Sequence, residues 1–588
     1  VGKISTADQR RAGLSLVLIG WALCALSAQA ASFEPARGRD GMVVTSVGPA
    51  AAAGQAVLEQ GGNAVDATVA TAFAAAVANP FSSGIGGGMF AVTHMAIQNE
   101  TTALDARETA PAGASADYYE RNPGSIRSGT RSVGVPGFVQ GLWALHQKYG
   151  TVPWPDLIQP AISLAEHGVP VSVWHQDMVR RVAPTLADFP ETRRIQTVDG
   201  KAPPLGWMLK QADLAATLRI IQENGGQALA VGDIARKIEQ ATDGAVTELD
   251  LARYRVVWRD PVRGSYRGYE LASMPPPSSG GVLLVQMLNV LERYDLETLG
   301  KDSSEYIHLL AGAMKLAYAD RAAHLGDSDF YEVPVERLTS RAHADQQAAR
   351  LRRDAPPTAE VQVKPPPDDA GTAHITVLDR HGNAVALTQT INTVFGSKIT
   401  VPGTGIVLNN ELDDFSIGAE IPNAWGAVGS AANAVAPGKR PLSSMTPTIV
   451  FKDGQAVIVL GSPMGTTIIT SVLHALLNHI DFDLDAQRAV QSPRFHHQWR
   501  PDQISLEPEF PRDVRRPLEA LGWKLQERAY IGAVQMGVYD RERCLFFGGA
   551  DGRRDSHALG VNVSAVSAEP GRKDCARVQA VAAAAELN

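Results

Sequence analysis

A run of strand-forming residues that starts abruptly at a threonine constrains this chain more than any other feature. From about residue 341 the sequence turns charged and proline-rich. It ends in Lys364-Pro365-Pro366-Pro367-Asp368-Asp369-Ala370-Gly371, which is linker composition. At Thr372 the pattern changes to Thr372-Ala373-His374-Ile375-Thr376-Val377-Leu378. A second β-rich run, 384–390, follows across Asp379-Arg380-His381-Gly382-Asn383. Two such runs across a short turn-forming connection predict a hairpin. Further strands are expected at 448–451 and 456–460. Gly461-Ser462-Pro463-Met464-Gly465 then leads into an apolar helix over 468–480. Strands interleaved with apolar helices imply a layered α/β fold. A hydroxyl residue just after a cuttable linker also suggests a chemistry. Freed as a chain N-terminus, Thr372 is a nucleophile whose own α-amine is the base.

The rest of the chain of 588 residues reads as an exported globular protein. Lys3, Arg10 and Arg11 precede an apolar stretch at 12–23, and Ala28-Gln29-Ala30 has the small-x-small pattern of a signal cleavage site. The apolar stretch is short for a membrane span, so a periplasmic or secreted product is expected. Residues 1–30 form the signal peptide in this reading. A formal net charge of -8 leaves no basic stripe for nucleic acid. Cys544 and Cys575 remain after signal removal; one disulfide and two free thiols both stay open as readings. Residues 64–78 form an Ala/Val-rich helix with almost no polar face after Asp66, hence a buried one. Ser82 to Phe90 is glycine-rich. It lacks the Lys-Ser/Thr of a P-loop and the spacing of a dinucleotide loop, so close backbone packing is its expected role. Helices are also expected over 281–294 and 304–325. The tail, 564–588, is polar and alanine-rich.

Eight motifs occur in order along the chain. The first four are Gly61-Gly62-Asn63-Ala64-Val65-Asp66-Ala67, Gly84-Ile85-Gly86-Gly87-Gly88, Asp105-Ala106-Arg107-Glu108-Thr109-Ala110-Pro111 and Gly134-Val135-Pro136-Gly137. The others are Tyr318-Ala319-Asp320-Arg321, Leu408 through Ser416, Arg440-Pro441-Leu442-Ser443-Ser444-Met445 and Pro493 through Trp499. Together they resemble the γ-glutamyltranspeptidases, which are N-terminal nucleophile hydrolases. The resemblance implies a four-layer αββα sandwich built from a self-cleaving precursor. Residues 31–371 would form a large subunit and 372–588 a small one, interleaved in one core. Cleavage at Gly371–Thr372 would start when Thr372 attacks the Gly371 carbonyl. In the precursor the Thr372 nitrogen is an amide and no base. Once freed it is an α-amine of pKa ~8, suited to base chemistry near neutral pH.

The resemblance also assigns roles. Thr390 lies on the strand expected to pair with Thr372 and would orient its hydroxyl. Met464 and Gly465 occupy the oxyanion loop, where the family usually has two glycines; backbone N–H groups serve there, so a side chain need not abolish the hole. Arg107 would grip the α-carboxylate of a γ-glutamyl donor bidentately, helped by Ser443 and Ser444. Glu411 and Asp414 would hold its α-ammonium, assisted by Asn392. Asp413 is the structural member of that acidic group. Trp425 would close the site from a loop running from Pro422 to Lys439.

His374 is read as structural, since the amine already supplies the base. His496 and His497 lack a metal-ligand pattern. No metal and no organic cofactor is expected. The implied partners are γ-glutamyl donors such as glutathione and amino acid or peptide acceptors. Two alternatives on the same scaffold are a glutaryl or cephalosporin acylase and a γ-glutamyl polymer hydrolase. A non-catalytic exported binding protein is an alternative of another class.

Overall fold

The computed structural model describes residues 34–356, 371–418 and 421–563. The expected signal peptide (1–30), most of the proline-rich linker, the C-terminal tail and Cys575 lie outside the described residues.

Two mostly antiparallel seven-stranded sheets make the centre. In the first the strand order is Ala36–Gly38, Leu545–Ala550, Gln535–Asp540, Gln455–Gly461, Thr448–Lys452, Tyr269–Ser273 and Val262–Tyr266. In the second it is His557–Val561, Gly41–Thr45, Ala373–Asp379, Ala384–Thr390, Gly88–Met95, Glu100–Ala106 and Val257–Arg259. Strands from both sides of the linker therefore share each sheet.

The expected hairpin is present, Ala373–Asp379 pairing antiparallel with Ala384–Thr390 in a register that sets Ala373 opposite Gln389. Both strands are buried along their whole length, because both faces are covered. Ile375, Val377, Val385 and Leu387 pack outward against helices Ala64–Ala78, Phe138–Tyr149, Trp154–His167 and Ala212–Asn224. Leu378, Ala384 and Ala386 point the other way, into a core between the sheets with Met42, Phe90, Ile449 and Val459. The far face of the first sheet, through Val450, Ile458 and Leu460, buries helices Gly280–Leu291, Ser304–His324 and Thr467–Ile480. This is the four-layer αββα sandwich.

Helix Ala64–Ala78 is buried along its whole length. It starts from a capping box in which the Asn63 side chain accepts from Val65 and Asp66 N–H and Asp66 accepts from Asn63 N–H, satisfying donors that would otherwise be orphaned in the core. In the glycine-rich stretch, Gly87 lies directly against the Thr390 carbonyl, the close packing expected of it. The charged segment before the cleavage junction does not begin as linker. Arg341–Arg350 is a helix capped by the Ser340 hydroxyl, with His343, Ala344 and Gln347 buried. Its apolar and polar contacts were invisible in a composition dominated by charge.

Candidate active site

The hairpin register places Thr372 across from Thr390, and their hydroxyl oxygens are 2.9 Å apart. Thr390 Oγ1 also accepts from the Asn392 N–H at 2.8 Å. That N–H uses an acceptor lone pair, leaving the Thr390 proton free to point at Thr372. Two further contacts fix Thr372. Its N–H donates to the Ser82 carbonyl at 2.8 Å, and its own carbonyl accepts from Arg554 Nη1 at 2.9 Å. Thr372 itself sits at φ +84°, a conformation disfavoured for a β-branched residue. Gly371 packs so tightly that a Cβ there would lie 1.6 Å from the Asn392 carbonyl oxygen. The position before Thr372 admits glycine alone.

One cavity is lined by Thr372, Thr390, Asn392, Arg107, Glu411 and Asp414. Ser443, Ser444, Trp425 and Gly465 complete the expected set around it. Chain segments hundreds of residues apart deliver these side chains: Arg107 comes from the end of strand Glu100–Ala106, and Glu411 and Asp414 bracket one short 3-10 turn, Glu411–Asp414.

Arg107 is not an open guanidinium. Its Nη1 donates to Glu411 Oε1, its Nη2 to Asp414 Oδ2 at 2.6 Å, and its Nε to the Pro441 carbonyl at 3.3 Å. Glu108 stands 3.8 Å from Nη1. Burial works against the arginine charge, but the surrounding carboxylates outweigh it and hold the guanidinium protonated. The acids are pushed the other way. Burial, partly countered by Arg107, raises the carboxyls of Glu411 and Asp414 and pushes Glu108 up to about 7. Three buried acids around one guanidinium cannot all be comfortably ionised.

Trp425 is buried over this cluster. Its Nε1–H donates to Asn392 Oδ1 at 2.7 Å, and Asn423 Nδ2 donates to Asp414 Oδ1 at 3.1 Å while its Oδ1 accepts from Trp425 N–H at 3.0 Å. The lid loop and the acidic pair are thus one hydrogen-bonded unit. Asp413 accepts from the Ala424 N–H at 2.7 Å, a structural contact.

The oxyanion loop behaves differently from its side-chain pattern. Met464 is buried and sits at φ +100°, and it is not among the residues lining the cavity, whereas Gly465 and Thr466 are. Met464 as a whole therefore stands outside the cavity lining. Neither the Met464 nor the Gly465 N–H donates to an acceptor among the described residues, which leaves both available as donors. His374 is held between Thr388 Oγ1 at 2.8 Å and Thr376 Oγ1 at 3.2 Å, inside the inter-sheet layer, and burial lowers its pKa to about 3. It is a neutral core residue. His496 is likewise buried against Thr470 and Gln498. Among the described residues no cluster of His, Cys, Asp and Glu could hold a metal ion.

Sequence reasoning missed Arg321 and Arg554. The motif Tyr318-Ala319-Asp320-Arg321 flagged the first without a role. Nothing local flagged Arg554, which reaches Thr372 from 182 positions away.

A four-layer αββα sandwich with a buried threonine at the start of a central strand, directly after a tightly packed glycine, is the architecture of the N-terminal nucleophile hydrolases. The gamma-glutamyltranspeptidase family model matches residues 50–561, and the chain belongs to that family. It is 42% identical over 515 residues to the glutathione hydrolase proenzyme of Escherichia coli (strain K12), covering 86% of this chain and 89% of that one. It is 38% identical to the acylase ACY 1 proenzyme of Pseudomonas sp. (strain SE83), covering 84% and 88%. The crystal structure of a cephalosporin acylase from Bacillus halodurans superimposes with a TM-score of 0.80 at 28% identity, covering 91% of this chain and 98% of that chain.

Proposed function

We propose that this chain is the precursor of a γ-glutamyl acyltransferase and glutathione hydrolase. It matures by cleavage at Gly371–Thr372 into a large chain ending at Gly371 and a small one beginning at Thr372. In maturation Thr372 Oγ attacks the Gly371 carbonyl, the amide nitrogen leaves as the new α-amine, and water hydrolyses the resulting ester. In turnover the α-amine takes the Oγ proton as Oγ attacks the γ-amide of the donor. The oxyanion receives the Met464 and Gly465 N–H groups, and the proton passes to the leaving amine. Water or an amino acid then takes the γ-glutamyl group from Thr372.

One observation carries the reading. The Thr372–Thr390 hydroxyl pair shares its cavity with Arg107, Glu411 and Asp414. A zwitterionic amino acid end matches those charges by exchange. Its carboxylate replaces an acid on Arg107, and the displaced acid receives its ammonium. The glutaryl side chain that an acylase would take has no ammonium to offer, so the acids favour γ-glutamyl donors over that alternative. Glutathione as the donor and export to the periplasm or medium are part of this proposal.

Intact-mass analysis and N-terminal sequencing of the purified protein test it. Two chains are expected, the smaller starting Thr372-Ala373-His374. The cleaved protein should release p-nitroaniline from γ-glutamyl-p-nitroanilide far faster than from a glutaryl anilide. The reverse preference would make it an acylase. An uncut, folded, inactive chain would make it a non-catalytic relative.

A further inference from the structure

The cavity contains a second arginine with the opposite electrostatic situation to the first. Arg321 projects from the last turn of helix Ser304–His324 and is 6% exposed. Its Nε donates to Ser279 Oγ at 3.0 Å and its Nη2 to Ser444 Oγ at 3.2 Å. It lines the same cavity as Arg107. Arg107 carries two carboxylates, yet Arg321 has no carboxylate within ion-pair distance among the described residues, and its Nη1 has no protein acceptor there. Burial works against its ionised form, opposed among carboxylates only by Asp414, which lies beyond ion-pair distance and is itself paired with Arg107. A guanidinium nevertheless stays protonated in proteins, so the cavity wall presents a cation with no ion-pair partner of its own, where an anion is favoured.

Its two hydroxyl partners belong to one device. Ser279 donates through both N–H and Oγ to the Ser443 carbonyl, at 2.8 and 2.7 Å. Ser444 Oγ, by accepting from Arg321, keeps its own proton to give to something else. The adjacent pair Ser443-Ser444 is thus braced from behind by Ser279 and Arg321.

We propose that Arg321 is a specificity-determining residue for the donor's α-carboxylate: it orients the Ser444 hydroxyl toward that carboxylate and supplies the positive charge that Arg107, shared with Glu411 and Asp414, does not. This rests on the γ-glutamyl reading above. The carboxylate then lies between two guanidinium groups, Arg107 serving as the exchangeable partner and Arg321 as the permanent one. The same arrangement disfavours donors in which that carboxylate is amidated.

The test uses the processed protein and two donors, γ-glutamyl-p-nitroanilide and its α-carboxamide analogue, which differ in the charge of one group. For Arg321→Met, kcat/KM on the carboxylate donor should fall about 30-fold, mostly through KM, while the carboxamide donor changes less than about 3-fold. Arg321→Lys should restore part of the lost preference, since it keeps the charge and loses the fork. In a Ser444→Ala background the effect of Arg321→Met should shrink, because the two act together. Equal losses on both donors, in kcat and KM alike, would reduce Arg321 to a wall residue and overturn the proposal, as would no loss on either. If Arg321→Met fails to mature, the same comparison is made on Arg321→Lys, where about a 5-fold selective loss is expected and a parallel loss on both donors overturns the proposal. If the unaltered protein itself does not prefer the carboxylate donor, the γ-glutamyl reading fails first and Arg321 falls with it.

Discussion

The cleavage junction and the oxyanion loop are built from the same two parts in opposite order. At the junction, an irreplaceable glycine, Gly371, is followed by a strained residue, Thr372, at φ +84°. In the oxyanion loop a strained residue, Met464 at φ +100°, is followed by an irreplaceable glycine, Gly465, where a Cβ would lie 2.2 Å from the Trp425 ring. Each positive φ at a non-glycine residue costs on the order of 1–3 kcal/mol. What differs is how long the strain lasts. The proposed cut at Gly371–Thr372 would remove the peptide plane that defines the φ of Thr372, so that strain would favour the reaction that ends it. No step in the chemistry breaks a bond beside Met464, so its strain persists through every turnover. The loop keeps it because the conformation frees two N–H groups and because the Met464 carbonyl is held by the Thr467 N–H and Oγ1.

Substitutions at the two sites can break or sharpen that contrast. The largest effect is expected at Gly371. Gly371→Ala places a Cβ 1.6 Å from the Asn392 oxygen, which no rotamer can relieve, so the junction must shift. Maturation, followed by the appearance of two chains on a denaturing gel, should slow by at least about 1,000-fold, a loss comparable with removing a catalytic group. Normal maturation would show that the junction is looser than its packing implies.

Next comes Gly465→Ala. It drives the Trp425 ring away and with it the bond from Nε1 to Asn392. Maturation should survive if the two sites are as separate as the comparison holds. Turnover of the matured protein should fall by about 100-fold, the scale of a lost oxyanion donor. Failure to mature would instead show that the oxyanion loop also serves the cleavage reaction.

A smaller and more diagnostic effect is expected at Met464. In regular structure glycine is less stable than alanine by about 1 kcal/mol. At a permanent φ of +100° the order should invert. Met464→Gly should then be the more stable of the pair by about 1 kcal/mol in urea unfolding, although both lose the buried side chain. The usual order would mean that the loop carries no lasting strain.

A last test separates backbone strain from charge. Glu108 is pushed up to about 7 by burial, so the folded state holds a proton that the unfolded chain loses at its ordinary, lower pKa. Stability from this group is full below the unfolded value and is lost as pH rises through about 7, with a slope of at most about 1.4 kcal/mol per pH unit. Glu108→Gln should flatten this part of a stability–pH curve. The Gly–Ala difference at Met464 should stay constant across the same range, because no proton is involved. A pH-dependent difference there would tie the loop to the carboxyl cluster.

Much of this was legible in the chain. Two β-rich runs and a turn-forming connection located the hairpin at 373–390, and the apolar runs located helices Ala64–Ala78, Gly280–Leu291 and Thr467–Ile480. These signals are local, since strand and helix periods are written in neighbouring residues. The family motifs named the residues that line the cavity with the nucleophile. What those residues do to one another was not legible. Arg107 meets Glu411 and Asp414 from 304 and 307 positions away, whereas the family resemblance implied a separate duty toward substrate for each. The segment beginning at Arg341 looked like linker because its charge hid three buried positions on one helical face.

By itself, then, the sequence determined the elements and pointed to the residues that share one cavity. Only the tertiary structure decided which arginine is ion-paired and which is not, that Arg554 anchors the Thr372 carbonyl, and that Met464 lies outside the cavity lining. The physical reason is one of range. Propensity and periodicity act over a few residues, whereas the state of a buried charge depends on every group the packed sheets and helices bring within a few ångströms of it.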